Sequence, residues 1–250
     1  MYKVVWVARF REGISGEGAR RHWREVHAPL GANVPAIERY VQNHVRFALG
    51  AVAVSDEPAA FDGYSCCWYR DREAFEESLR TPEWAALGVD SPNLFDDSCW
   101  EGWSASLDPR TIIDGPRAPF KTVWFVRFRP ELRGDRQRSR EVHERWIASH
   151  GGHFGTRVPG IARYVQNHVV SAIDAGGENP DMAVDFDGFS ECWFADRGAF
   201  ELAMASPEWQ AMSEDAAELF ELEYVVPAMS AVLKEIVIVE RREQRDAVPA

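Results

Sequence analysis

The chain has 250 residues, 46% apolar and 27% charged, with 10 tryptophans, a composition that argues for a folded protein of one large domain or two ordinary ones. Lys and Arg number 28 against 40 Asp and Glu, a net charge of −12; a field of that sign opposes nucleic acid and anionic membrane as partners. The opening run from Met1 to Phe10 is too short for a signal peptide, no stretch approaches the roughly 18 apolar residues of a membrane span, and a cytoplasmic protein is expected.

The sequence repeats. Lys3 to Arg11 recurs as Lys121 to Arg129 at an offset of 118, and Arg39-Tyr-Val-Gln-Asn-His-Val45 recurs letter for letter as Arg163 to Val169 at 124. Phe61-Asp-Gly-Tyr-Ser65 matches Phe186-Asp-Gly-Phe-Ser190, and Pro82-Glu-Trp84 matches Pro207-Glu-Trp209, both at 125. Collinear identities of this length mark a tandem duplication.

In the first copy, the β-branched and aromatic run Val4 to Phe10 predicts a strand. Ser15 can cap a helix whose apolar face carries Ala19, Trp23, Val26 and Leu30, with Pro29 near its end. Ile37 to Phe47 and Tyr64 to Tyr69 predict two more strands. Asp71 can cap the helix of Ala74, Phe75 and Leu79, and Thr81 the next, with Pro82 in its first turn; Ser206-Pro207 repeats the device. Last strands are expected over 98–107 and 222–239, with a bend at Pro227. The order βαββαβ predicts two ferredoxin-like repeats, 1–107 and 120–240, joined by a Pro-rich linker, 108–119, and followed by a polar tail, 241–250. Each sheet has a bare face, so the copies are expected to pack sheet to sheet as an intrachain α/β barrel, which makes a monomer plausible.

The motifs His22-Trp-Arg-Glu-Val-His-Ala-Pro29, Arg39-Tyr-Val-Gln-Asn-His44, Phe186-Asp-Gly-Phe-Ser-Glu-Cys-Trp-Phe194 and Ser206-Pro-Glu-Trp209 resemble the EthD family of dimeric α/β barrel proteins, once per copy over nearly the whole chain. The resemblance implies the ferredoxin-like fold and cofactor-independent lactone isomerisation, cyclisation or dehydration of small cyclic or polyketide substrates. Other dimeric α/β barrel families hold haem with one histidine, which leaves a haem-dependent oxidoreductase as an alternative.

His27 and His150 each follow a tryptophan, Trp23 or Trp146, by four residues, so each projects beside the apolar stripe and can move a proton in a pocket; the alternative is a histidine bonded to helix-terminal carbonyls. Alternation on the second strand puts Tyr40, Gln42 and His44 on one face and Arg39, Val41, Asn43 and Val45 on the other, as it does Tyr164, Gln166 and His168 against Asn167. The polar row either lines a wet pocket or forms a satisfied network at the sheet-to-sheet seam. The family pattern's tyrosine makes Tyr40 and Tyr164 candidate substrate donors, with Asn43, Asn167, His44, His168, Trp23 and Trp146 as candidate binding residues.

Glu191 stands at the family's acidic position, where the first copy has Cys66. Burial beside Trp193 would raise its pKa and suit it to acid–base work; the alternative is an ion pair with Arg163 or Arg127. His150 and Glu191 make the second pocket the favoured one, although Gly152 and Arg145 replace Pro29 and His22 there. Metal is not expected, because His22 and His27, five apart, point to different helix faces, and His143-Glu144 lacks the second His of H-E-x-x-H. Cys66, Cys67, Cys99 and Cys192 show no C-x-x-C spacing and are expected as packed, reduced thiols. The expected function is a cofactor-independent lyase or isomerase acting on a small aromatic or polyketide-like metabolite, the alternative a non-catalytic small-molecule-binding accessory protein of an oxygenase pathway.

Overall fold

The computed structural model describes residues 1–14, 16–50, 54–55, 58–100, 102–133, 136–226 and 228–241. The expected cap Ser15, the bend at Pro227 and the tail beyond Arg241 lie outside them. The strands are β1 (Tyr2–Ala8), β2 (Ile37–Leu49), β3 (Val54–Ser55), β4 (Gly63–Tyr69), β5 (Ser104–Ile113), β6 (Phe120–Val126), β7 (Arg163–Asp174), β8 (Gly177–Asn179), β9 (Gly188–Phe194) and β10 (Ser230–Glu240). Eight of them run β10-β6-β9-β7-β5-β1-β4-β2, and β2 pairs back onto β10, closing an antiparallel barrel; β3 and β8 extend β2 and β7.

Closure goes further than the sheet-to-sheet packing expected from the sequence. The copies are hydrogen-bonded along two seams, β2 to β10 from Arg39↔Glu240 to Ala48↔Ala231, and β5 to β7 from Ala105↔Ala172 to Ile113↔Tyr164. Closure removes the edges that each open sheet would otherwise expose. It also explains two departures from expectation. The last strand of the first copy starts at Ser104, and the segment expected as linker is strand through Ile113, because β7 supplies a partner that the Asp108-Pro109 turn signal does not reveal. In the second copy Leu222–Val225 is a helical turn that buries Val225, and β10 begins only at Ser230.

Asp71, Thr81 and Ser206 cap as expected, their side chains accepting from the backbone N–H of Ala74, Trp84 and Trp209. The repeated Asp-Gly pair has a packing role. Asp62 and Asp187 accept from the N–H of Phe10 and Phe128 just beyond β1 and β6. At Gly63 and Gly188 a Cβ would lie 2.4 Å from the carbonyl oxygen of Asn43 or Asn167 and 2.7 Å from the ring of Trp23 or Trp146, so only glycine lets each tryptophan onto the sheet. Among the described residues no helix is long and apolar enough to cross a membrane.

The barrel interior is filled with side chains, as eight strands allow. Val5, Val7, Val45, Leu107, Val123, Phe125, Phe189 and Leu233 pack its apolar part. Toward one end sits a buried charge cluster. Lys3 Nζ donates to Asn167 Oδ1 and Lys121 Nζ to Asn43 Oδ1, both at 2.7 Å, so each copy's lysine is held by the other copy's asparagine. Glu191 lies between them, 2.6 Å from Lys121 and 3.6 Å from Lys3, and accepts from Tyr64 Oη at 2.7 Å; Glu235 is a further 2.6 Å contact of Lys121. Burial pushes the Glu191 carboxyl up, but the two ammonium groups and the bonds from Lys121 and Tyr64 outweigh it and hold the acid well below its usual value of 4.5. This reverses the raised pKa expected from the sequence, and the counter-charges are lysines rather than Arg163 or Arg127.

Glu191→Gln would leave two buried ammonium groups facing one carboxylate, and its expected cost at pH 7 is about 3 kcal/mol or more in urea unfolding. A folded-state value below the unfolded one means that this stabilisation is present above pH 4.5 and lost as pH falls below it. The wild-type advantage should therefore persist from pH 7 to 5 and shrink under more acidic conditions; a gap below 1 kcal/mol at pH 7 would contradict the cluster's role.

Candidate functional site

The outer face of the barrel carries the helices, and the polar row of β2 points at them. His44 Nε2 lies 3.0 Å from Gln42 Oε1, and Gln42 Nε2 donates to Tyr40 Oη (2.8 Å) and to the carbonyl of Trp23 (3.1 Å). The second copy repeats the chain as His168, Gln166, Tyr164 and the carbonyl of Trp146. The row is therefore a satisfied network, at the sheet–helix interface rather than the sheet-to-sheet seam. Burial, with Arg20, Arg24 and Lys234 nearby, holds His44 down to about 4, so it is neutral at physiological pH.

The helical segment it grips is irregular. Gly16–His22 leads into a π-helical turn, Trp23–His27, and then into Ala28–Asn33, the N–H of Ala28 reaching back to the Trp23 carbonyl. That carbonyl is the one Gln42 also holds. The wide turn changes which residues face inward: Val26, expected in the buried stripe, is 46% exposed, while His27 is 8% exposed. It also places His22 and His27, five residues apart, on one carboxylate instead of on different faces. His27 Nδ1 lies 2.8 Å from Asp90 Oδ2, and His22 Nε2 lies 2.9 Å from Asp90 Oδ1. Asp90 stands at the end of the helix Pro82–Asp90 that Thr81 caps.

Burial pushes His27 below its usual 6.5, with Asp90 opposing the shift. Burial works against the Asp90 charge, but its bonds to His27 and His22 prevail and keep the carboxyl below its usual value. An ionised Asp90 accepts from His27 Nδ1–H, which fixes the tautomer and leaves Nε2 as an acceptor with a free lone pair. The second copy builds the same dyad from His150 Nδ1 and Asp215 Oδ2, 3.0 Å apart. Neither aspartate is among the residues expected from the sequence, yet Asp90 and Asp215 sit at the duplication's own offset of 125, eight residues after Pro82 and Pro207. Acids matched between copies were the signal.

A cavity of about 350 Å³ opens beside His27 in the first copy, within the range of about 300–1,000 Å³ typical of small-molecule sites. Trp6, Trp84, Leu87, Phe95 and Ile37 supply apolar walls, Ile173 and Asp174 of the second copy close one side, and Trp23, Tyr40, Ser65, Cys67 and Ser104 are among the other lining residues. The wall tilts Trp6 against Trp84 at 5.7 Å and sets Phe95 edge-on to His27 at 5.2 Å. Burial pushes the thiol of Cys67 up, which keeps it protonated. All four cysteines are free and buried, and among the described residues no group of three or more His, Cys, Asp or Glu has an arrangement that could hold a metal.

Of the expected site residues, the structure gathers His27, Tyr40 and Trp23 around one cavity. Their counterparts His150, Tyr164 and Trp146 take matching places in the second copy, and His44 and His168 belong to the polar networks. Asn43, Asn167 and Glu191 are on the other side of the sheet, inside the barrel. Glu191 thus does not share a pocket with His150. The preference for the second copy rested on that pairing, whereas the ring-lined cavity lies in the first.

Two solved structures share the architecture. An anthrone oxidase-like protein is 12% identical, over 96% of this chain and 93% of that one, with a TM-score of 0.55. A candidate monooxygenase from Fusobacterium nucleatum subsp. nucleatum is 9% identical, over 94% and 93%, with a TM-score of 0.51. At such identities the likeness shows the fold alone. No curated protein matches the chain. The EthD domain profile matches it twice, over residues 11–98 and 136–223, each match spanning the helical histidine, the strand network and the dyad aspartate. The chain therefore belongs to the EthD family, as a member with two EthD domains in tandem.

Proposed function

We propose that the protein is a cofactor-independent lyase or isomerase that moves protons on a small, ring-containing metabolite bound in the first-copy cavity, each copy being one ferredoxin-like unit. The observation that carries this reading is the His27–Asp90 dyad, a neutral imidazole with one nitrogen locked on a carboxylate and the ring on the wall of an aromatic cavity. Such a histidine takes a proton from a carbon or hydroxyl group at neutral pH and returns it elsewhere on the same molecule, the step shared by dehydration, cyclisation and lactone isomerisation. Asp90 stabilises the imidazolium while it lasts. Tyr40 binds the substrate at the cavity wall, its hydroxyl oxygen accepting from Gln42 Nε2. Glu191 has no part in this reading, because it is ion-paired on the other face of the sheet.

The test is turnover of a panel of bicyclic and tricyclic ketones and lactones, followed by proton NMR in D2O, where enolisation shows as loss of α-proton signal. His27→Ala should lower kcat/KM by about 100-fold or more, with little change in Tm, and His150→Ala by less than threefold. Equal losses in both variants would contradict the choice of cavity. Binding of panel members with no exchange and no product would favour the accessory-protein reading, and a Soret band on addition of haem would favour the oxidoreductase.

The same dyad fixes the pH dependence. A histidine held below 6.5 is a base at pH 7 and loses that ability as pH falls through its lowered value, so the acid limb of kcat/KM should have its midpoint below pH 6.5. Asp90→Asn removes the contribution that opposes burial, so that limb should move to still lower pH while kcat falls. A limb that stays in place would show that another group titrates.

A further inference from the structure

We propose that Ser104 is the residue that binds the substrate's oxygen, and that the cavity therefore takes a neutral ring ketone or lactone rather than a carboxylate or a plain hydrocarbon. This rests on the reading of the cavity as the active site and names what that site holds. Ser104 lines the cavity, is 2% exposed, and its hydroxyl has no hydrogen-bond partner among the described residues. A buried hydroxyl left unpaired costs about 1–3 kcal/mol, so an orphan beside a cavity gains when a ligand atom supplies the missing bond.

The duplication provides an internal control. Ser104 faces Trp6 across the β5–β1 pair as Ser230 faces Trp124 across β10–β6, so the two serines are equivalent. Ser230 is also buried, but its hydroxyl donates to the carbonyl of Leu49 at 3.1 Å. Leu49 is matched in the second copy by Ile173, which lines the cavity beside Ser104, and there the bond is not made. The same side chain in the same strand is thus satisfied by the chain in one copy and left buried without a partner beside the cavity in the other.

The remaining chemistry selects the ligand class. No Lys or Arg lines the cavity and Asp174 stands at its side, so nothing there compensates an anion. His27 Nε2 offers a lone pair and Ser104 Oγ–H a donor, a complement to a molecule with a removable proton and a carbonyl. In the resulting step, Nε2 takes an α-hydrogen as a proton. The C–H electron pair becomes the enolate double bond, and the carbonyl π pair moves onto the oxygen, which Ser104 stabilises by its hydrogen bond. Return of the proton from His27 to the carbon skeleton completes the cycle without an oxidant or reductant.

The probes are 1-tetralone and its oxygen-free counterpart tetralin, with binding read from quenching of the cavity tryptophans. In Ser104→Ala the Kd for 1-tetralone should rise about tenfold, a hydrogen bond's worth, while that for tetralin stays unchanged. Because the Ser104 hydroxyl is already unpaired, the variant should keep or raise Tm. Ser230→Ala should lower Tm and leave both Kd values alone. Absence of 1-tetralone binding in the wild type, an unchanged Kd in Ser104→Ala, or an equal loss in Ser230→Ala would overturn the inference. If the ketone preference is present and depends on Ser104 but no C2-proton exchange occurs in D2O, the proposed enzymatic function fails while the binding role of Ser104 stands.

Discussion

Closure of the barrel is the constraint on which the rest of the molecule depends. A four-stranded sheet with helices on one face leaves an apolar face and two edges unsatisfied. Here the two copies resolve all of these together, with β2 on β10 and β5 on β7. The interior so enclosed is packed by its own side chains, and the cavity beside His27 lies outside the sheet, beneath the helices. The β5–β7 seam also brings Ile173 and Asp174 of the second copy to the cavity of the first.

Within that frame, one amide does much of the positioning. Gln42 joins the π-turn carbonyl of Trp23, the hydroxyl of Tyr40 and the imidazole of His44, thereby fixing the helix against the strand. A π-turn is less favourable than regular helix and needs such support. What it secures is the inward aim of His27 and the meeting of His22 and His27 at Asp90. The strand letters Tyr-Val-Gln-Asn-His are therefore shared between two tasks: alternate side chains hold the helix outside and the lysines inside.

The repeat was legible because seven identical residues at a collinear offset need no structural knowledge, and the caps at Asp71, Thr81 and Ser206 were legible because capping is local chemistry. The histidine at the pocket could be read from its spacing to tryptophan. What escaped reading depended on partners distant in sequence. Residues after Asp108 became strand because β7 pairs with them, and Val26 turned outward because the helix widens under Gln42. Glu191 looked like an isolated acid, since nothing local announces that Lys3 and Lys121 converge on it from 188 and 70 residues away. That a ring-lined cavity opens beside His27 depends on how several side chains fill one space, and strand or helix periodicity does not report that.

Covalent linkage of the two copies has one more effect. Because both seams form within one chain, the second copy is present at the first with an effective concentration set by the short connector after Ile113 rather than by the amount of protein in solution. A wall of the cavity that a separate subunit would supply only while bound is thereby supplied at any dilution. The same linkage frees the two halves from having to be identical, so Tyr64 can stand where the second copy has Phe189, and Cys66 where it has Glu191. One half can then keep its serine bonded to the backbone while the other leaves its own unpaired beside a cavity.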